Sequence, residues 1–251
     1  MTKIALITGG SRGLGKSTAL HLAEKGRDII LTYHSQKEEA EKVVKAIAAK
    51  GQKAVSIQLD IIKPDGFGQF SSTVKQILED VWDRQNFDIL INNAGTGVHN
   101  DYMKTTEAEF DRMMSEHVKA PYFLSQNLLP IMNDGGRILN FSTGLTRVTA
   151  PGFSAYAIMK GAVEILSVYM AKELGARGIT VNTIAPGAIE TDFGGGVMRD
   201  NDDLNQHFAK LTALGRVGMP DDIGGAVAAI LDDKAGWINA QRIEVSGGQS
   251  I

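Results

Sequence analysis

The chain of 251 residues contains no cysteine, which excludes a disulfide framework, a thiolate metal site and a cysteine nucleophile. Aromatic residues make up 6% of it, and proline supplies only six positions. No uninterrupted apolar run approaches the roughly 18 residues that a membrane-crossing helix needs. The opening residues, Met1 to Gly10, reach glycine too soon to read as a secretory signal. Neither sign of charge dominates: 26 basic and 29 acidic side chains leave a formal net charge of −3, with no basic footprint for nucleic acid. These absences lead us to expect a soluble, cytoplasmic chain acting on a small molecule, without nucleic acid, membrane or metal. A chain of this size can bury about 70–75% of its unfolded surface and needs no covalent staples. Glycine alone is over-supplied: 28 residues, or about 11% against a usual ~7%.

Short apolar runs alternate with longer segments of helical period. Strand candidates are 3–8, 28–33, 53–59, 88–91, 137–141, 180–184 and 241–245. Several are apolar almost throughout (Ile4 to Ile7, Ile29 to Leu31), as strands covered on both faces should be. Helical patterns occupy 15–25, 37–50, 68–84, 107–132, 154–176 and 221–232. This alternation predicts βαβ units with right-handed crossovers. The expected fold is α/β: one Rossmann-type, doubly wound parallel sheet of about seven strands with helices on both faces. No linker or repeat interrupts the pattern, so residues 1–251 are expected to form one domain. Segment 188–216 fits neither period and contains Gly194-Gly195-Gly196, which suggests a mobile flap over the sheet's carboxyl edge.

The first strand runs into Thr8-Gly9-Gly10-Ser11-Arg12-Gly13-Leu14-Gly15, where a helix begins. Glycines there let the backbone approach a pyrophosphate, and the helix N-terminus supplies free N–H groups and partial positive charge. The spacing is Gly-x-x-x-Gly-x-Gly rather than Gly-x-Gly-x-x-Gly. A phosphate loop of the nucleotide-hydrolase type can also be written over Gly10 to Ser17, with Asp60 as a carboxylate for magnesium. The later motifs point elsewhere.

Thr8-Gly9-x-x-x-Gly13-x-Gly15, Asp60, Asn92-Asn93-Ala94-Gly95, Tyr156-x-x-x-Lys160 and Pro186-Gly187 with Ile189 and Thr191 occur in one order. Together they resemble the short-chain dehydrogenase/reductases, from residue 3 to residue 248. The general look is closest to 3-oxoacyl-carrier-protein reductases and related ketoreductases. The resemblance implies a cofactor site at Gly9, Ser11, Arg12, Gly13, Leu14, Gly15, Asp60, Ile61, Asn92, Ala94, Gly95, Pro186, Gly187, Ile189 and Thr191, with Tyr156 and Lys160 serving both cofactor and catalysis. Thr143 stands thirteen residues before the tyrosine, where the family has serine, and His117 stands where it has an asparagine. A homotetramer, or a homodimer, is also implied. Val245-Ser246-Gly247-Gly248 departs from the family's Asp-Gly-Gly.

Tyr156 and Lys160, four apart on a helix, share a face. A phenol of pKa about 10 needs a neighbour that favours its phenolate, and an ammonium does this. Thr143 supplies a hydroxyl for the substrate oxygen. Its neighbour Ser142 should face the other side of the strand. His117 is either packing or a titrating member of a proton relay. The other histidines show no ligand spacing, so no metal is expected. After the second strand no carboxylate is present to bind a ribose 2′-hydroxyl. Arg12 can instead pair with a 2′-phosphate, with His34 and Ser35 beside it, so NADP(H) is expected over NAD(H). The expected reaction is reduction of a ketone or 3-oxoacyl substrate. An NAD-dependent alcohol or sugar dehydrogenase, and an NADPH-sensing protein without turnover, are the alternatives.

Overall fold

The computed structural model describes residues 2–251. Seven strands, β1 (Ile4–Ile7), β2 (Asp28–Tyr33), β3 (Ala54–Gln58), β4 (Phe87–Asn92), β5 (Met132–Phe141), β6 (Thr180–Pro186) and β7 (Arg242–Val245), form one parallel sheet in the order β3-β2-β1-β4-β5-β6-β7. The direction of winding reverses between β1 and β4, and the crevice beyond such a reversal is where open α/β sheets bind ligands. Helices α1 (Gly13–Glu24), α2 (Lys37–Ala48), α3 (Phe67–Trp82), α4 (Glu107–Met114), α5 (Ala120–Leu128), α6 (Ser154–Leu174), α7 (Val197–Asp200), α8 (Asp202–Lys210) and α9 (Pro220–Ile230) complete the element order.

The apolar runs follow from cover on both faces. Along β1, Ala5 and Ile7 enter a core with Leu22 of α1, Val43 of α2 and Val227 of α9. Ile4 and Leu6 enter the opposite core with Val74 of α3, Leu124 of α5 and Ala171 of α6. Each such large aliphatic side chain, fully buried, contributes roughly 1.5–3 kcal/mol relative to exposure. Among the described residues no helix is long and apolar enough to cross a membrane.

Two segments differ from the sequence expectation. The helix expected over 107–132 is divided into α4, a π turn (Ser115–Lys119), α5 and a final 3-10 turn. Pro121 has no N–H to return to the carbonyl of His117, and the backbone widens so that Ala120 N–H bonds the carbonyl of Ser115, five residues back. Upstream, a capping box fixes α4: Thr106 Oγ1 accepts Glu109 N–H at 3.2 Å and the Glu109 carboxylate accepts Thr106 N–H at 2.8 Å. Segment 188–216 contains α7 and α8, the latter capped by Asn201 Oδ1 accepting Leu204 N–H at 3.0 Å. Its three successive glycines, Gly194 to Gly196, all have positive φ (62°, 79° and 82°). That conformation is open to glycine at little steric cost.

Candidate active site

The loop from β1 to α1 is shaped by close approach. A Cβ on Gly15 would stand 2.2 Å from the carbonyl oxygen of Gly9, and one on Gly9, itself at φ +69°, would stand 3.0 Å from Ala94 Cα. Ser11 is buried within the turn. Helix α1 then starts at Gly13 and Leu14 with no side-chain cap among the described residues and no acidic residue in its first turn. Its N–H groups and dipole therefore face outward unopposed. A Cβ at Gly13 would meet only Thr191, at 4.0 Å.

Sequence reasoning assigned Asn92, Ala94 and Gly95 to the cofactor and overlooked Asn93. Its Nδ2 donates to the carbonyls of Thr8 (2.9 Å) and Gly9 (3.2 Å), while Thr8 Oγ1 accepts the N–H groups of Asn93 and Ala94, both at 3.0 Å. Asn93 and Thr8 thus brace the glycine loop from β4. The side chain of Asn92 turns inward instead, donating to Asn140 Oδ1 at 2.8 Å and Ser125 Oγ at 3.1 Å.

The remaining cofactor candidates lie along the same edge. Asp60 Oδ1 accepts Ile62 N–H at 3.1 Å, and Lys63 Nζ is 3.3 Å from the carboxylate. Partial burial pushes the Asp60 carboxyl up, but that amide and Lys63 outweigh it and hold the group below its usual value. Ile61 lines a small cavity behind the loop. His34 and Ser35 are exposed beyond β2. Arg12 Nη1 reaches Asp192 Oδ2 at 3.5 Å, linking the glycine loop to the 188–216 segment. Pro186 ends β6, and Gly187 packs so tightly that a Cβ would lie 2.7 Å from Gln249 Oε1. Ile189 bridges to Gly218, and Thr191 Oγ1 accepts Phe193 N–H at 3.1 Å.

Tyr156 and Lys160 occupy one face of α6, both buried, with the ammonium 5.6 Å from the tyrosine ring centroid. Lys160 Nζ donates to the carbonyl of Phe141 at 2.7 Å. Burial pulls its pKa down to about 8, opposed by the charge of Glu116. The expected depression of Tyr156 is not what this structure gives. Burial holds the phenol well above its ordinary pKa, and only hydrogen bonding with Thr143 pulls the other way. The lysine's charge is turned to a backbone carbonyl, so desolvation of the phenolate wins. Of the two adjacent hydroxyls at the end of β5, Thr143 meets Tyr156, whereas Ser142 Oγ donates to Glu164 Oε1 at 2.6 Å.

His117 packs edge-on against Tyr156, ring centroids 5.1 Å apart. Its Nε2 is 2.6 Å from the carbonyl of Thr96, so Nε2 carries the proton and Nδ1 is an acceptor. Nδ1 is buried with no hydrogen-bond partner among the described residues. Burial, then the charge of Lys160, holds His117 well below the ordinary histidine pKa despite the Thr96 carbonyl. The charge switch near neutrality expected for a titrating relay is therefore displaced to lower pH. Gly95 admits the ring: a Cβ there would lie 2.4 Å from His117 Cε1.

Residues 9–250 match the family model described as "Enoyl-(Acyl carrier protein) reductase". The 3-oxoacyl-[acyl-carrier-protein] reductase FabG of Staphylococcus aureus is 36% identical over 250 residues, covering 99% of this chain and 98% of that protein. The chain belongs to the short-chain dehydrogenase/reductases. Among solved members of the family, the reductase LugOII, which catalyses keto-reduction at C1 in lugdunomycin biosynthesis, superposes with a TM-score of 0.93 at 35% identity, over 98% of this chain and 96% of that one. The angucycline C-6 ketoreductase LanV with bound NADP also gives 0.93, at 33% identity, over 99% and 95%.

As a short-chain dehydrogenase/reductase the chain is an oxidoreductase acting on carbonyl or hydroxyl groups. At the start of α6, which carries Tyr156, lies an apolar recess of about 290 Å³, lined among others by Tyr102, Leu145, Pro151, Phe153 and Ala157. Phe193 from the 188–216 segment leans over Tyr156 (centroids 5.6 Å) and against Gly97, where a Cβ would stand 2.5 Å from the ring.

Proposed function

We propose that the chain reduces a ketone or 3-oxoacyl carbonyl to the alcohol with NADPH as reductant, Tyr156 giving the proton. The observation that carries this reading is the convergence of Tyr156, Lys160 and Thr143 on one buried spot, at the same sheet edge as the glycine loop. The residues present fit the cofactor. The uncapped start of α1 and the open face of Gly13 suit a pyrophosphate. Arg12, with exposed His34 and Ser35, suits a 2′-phosphate, and β2 is followed by no carboxylate that would repel it. Asp60 and Ile61 would take the adenine side, and Gly95, Pro186, Gly187, Ile189 and Thr191 the nicotinamide side. When bound, the nicotinamide supplies the hydride that forms the new C–H bond.

The chain's own residues do the rest. Tyr156 Oη, held protonated by burial, donates its proton to the carbonyl oxygen as that oxygen gains charge. Thr143 hydrogen-bonds the same oxygen and orients it. Lys160, whose ammonium stands 5.6 Å from the Tyr156 ring, would turn from the Phe141 carbonyl to the phenolate left behind and return a proton to it. The small cavity of about 20 Å³ lined by both Lys160 and His117 has room for a water that would recharge the lysine. The apolar recess at the start of α6 favours a substrate with an apolar body, and segment 188–216 acts as the flap over it. Exposed Ile158, Ile165, Val168 and Tyr169 on α6, with Tyr122 and Phe123 on α5, suit burial against further copies in a homotetramer. A cytoplasmic location agrees with this role.

The test is NADPH oxidation against ketones, 3-oxoacyl thioesters, quinones and sugars, with Tyr156→Phe as control. Turnover with at least one carbonyl class, kcat/KM favouring NADPH over NADH by about tenfold or more, and loss of turnover in the control are expected. Equal rates for wild type and Tyr156→Phe would overturn the reading.

A further inference from the structure

One buried ion has no part in the chemistry just described. Glu116, on the π turn, is only 5% exposed. Its Oε2 accepts the N–H of Thr96 at 2.8 Å and the Thr96 hydroxyl at 2.7 Å. Its Oε1 lies 3.9 Å from Arg112 Nε, a long contact to a half-exposed side chain. Successive residues of an α-helix point about 100° apart, yet Glu116 and His117 both grip Thr96, one at its N–H and hydroxyl and the other at its carbonyl. The π turn makes this convergence possible.

A carboxylate so buried is costly unless another charge answers it. Helix α6 presents the Lys160 ammonium to the small cavity and the π turn presents Glu116 with neutral His117. β5 presents no charge: Asn140 and Phe141 line the cavity, and the Phe141 carbonyl is the neutral acceptor for Lys160. Arg112 approaches from α4, and the other acid of α6, Glu164, is turned away to Ser142, Thr146 and Arg242. Glu116 and Lys160 are thus the two ions that line the cavity, without direct contact: Glu116 bonds Thr96 and has Arg112 Nε and His117 Nε2 each at 3.9 Å, while Lys160 donates to the neutral carbonyl of Phe141.

We propose that Glu116 is a positioning residue whose carboxylate, placed by the π turn, keeps the Lys160 ammonium charged in its buried site. This rests on the reading of Tyr156 and Lys160 as the reducing pair. Burial already pulls Lys160 down to about 8, with Glu116 opposing. Since the ammonium is the working form, activity is complete below that value and is lost as pH rises through it. Removing the counter-charge moves this loss to lower pH.

The experiment is the pH dependence of the single-turnover reduction rate for wild type, Glu116→Gln and Glu116→Asp, with Tyr156→Phe alongside. In Glu116→Gln the alkaline limb moves down by about one unit, so the ratio of the rate at pH 8 to that at pH 6 falls about fivefold. Glu116→Asp, which withdraws the charge by one methylene, shifts the limb partway. A Glu116→Gln limb that coincides with wild type, however slow the enzyme, overturns the proposal. If Glu116→Gln does not fold, Glu116→Asp decides on the same terms. Should Tyr156→Phe turn over like wild type, the underlying reading fails; an unmoved limb in an enzyme that needs Tyr156 removes only the role of Glu116.

Discussion

Replacing Thr143 and Ser142 by alanine, one at a time, should damage different properties. Thr143 is the hydroxyl at Tyr156, and within the fold it accepts only Leu145 N–H, at a long 3.3 Å. Its loss should cost about 0.5–1 kcal/mol of stability, as a weak turn cap does. Turnover should suffer far more, since one missing donor to a developing oxyanion is worth about 10²–10³ in kcat. Ser142 is buried and donates to the Glu164 carboxylate at 2.6 Å, on the far side of the strand end. A hydrogen bond to a charged group is worth about 1.5–3 kcal/mol. In a chain this long that corresponds to a Tm loss of about 3–12 °C. Glu164 keeps Thr146 and Arg242 as partners in the variant, so its charge is not left orphaned. The assays are kcat at saturation with both substrates and Tm by calorimetry. Thr143→Ala should lose kcat with little change in Tm, Thr143→Ser should recover most of the rate, and Ser142→Ala should lose Tm with kcat reduced less than about tenfold. A larger kcat loss in Ser142→Ala than in Thr143→Ala would refute the assignment.

Two further outcomes follow from packing and charge. Gly95→Ala drives a methyl toward the His117 ring, which cannot retreat because Nε2 is held by the Thr96 carbonyl at 2.6 Å. The cost should be about 1–3 kcal/mol, partly relieved by His117→Asn in the double variant, and an unchanged Tm in Gly95→Ala would contradict it. Glu244 is held at about 2, first by the hydrogen bond from Arg147 and then by Ser246 and Arg242, against an ordinary value of 4.5. Its folded-state pKa is depressed, so its stabilisation is present above the ordinary value and is lost as pH falls through the folded one. Glu244→Gln should therefore cost about 1–3 kcal/mol at neutral pH, with the gap to wild type closing as pH falls from about 4.5 toward 2. Denaturant titrations showing the same gap at both ends of that range would disprove the contribution.

The parallel sheet was legible because its strands are buried on both faces, so Ile4 to Ile7 and Ile29 to Leu31 carry unbroken apolar runs that no surface strand would tolerate. Tyr156 and Lys160 share a face of α6, as their four-residue spacing implied, and the glycine loop follows β1 as expected; their reading as one site came from the family resemblance. What escaped depends on distant partners. Asn93 was passed over in favour of Asn92, and only the fold shows that it holds Thr8 and Gly9 while Asn92 turns inward. Glu116 carried no signal of its own in the sequence, since its burial and its partner Thr96 are set by the fold. The sequence signal for the π turn was present in Pro121, whose missing N–H forces a change of pitch. The pKa of Tyr156 was misjudged because sequence spacing carries no information about desolvation.

The bracing of the glycine loop by Asn93 has a consequence for how the protein is made. Thr8 and Asn93 are 85 residues apart, and their mutual hydrogen bonds fix the loop. The first three strands alone, as they leave the ribosome, contain every glycine of that loop but not the amide that shapes it. Affinity for a dinucleotide should therefore arise only once β4 has inserted beside β1, a long-range closure that is slow relative to local structure. The nascent chain cannot be stabilised by its own cofactor before that step, and the cofactor can act on folding only after the centre of the sheet is complete.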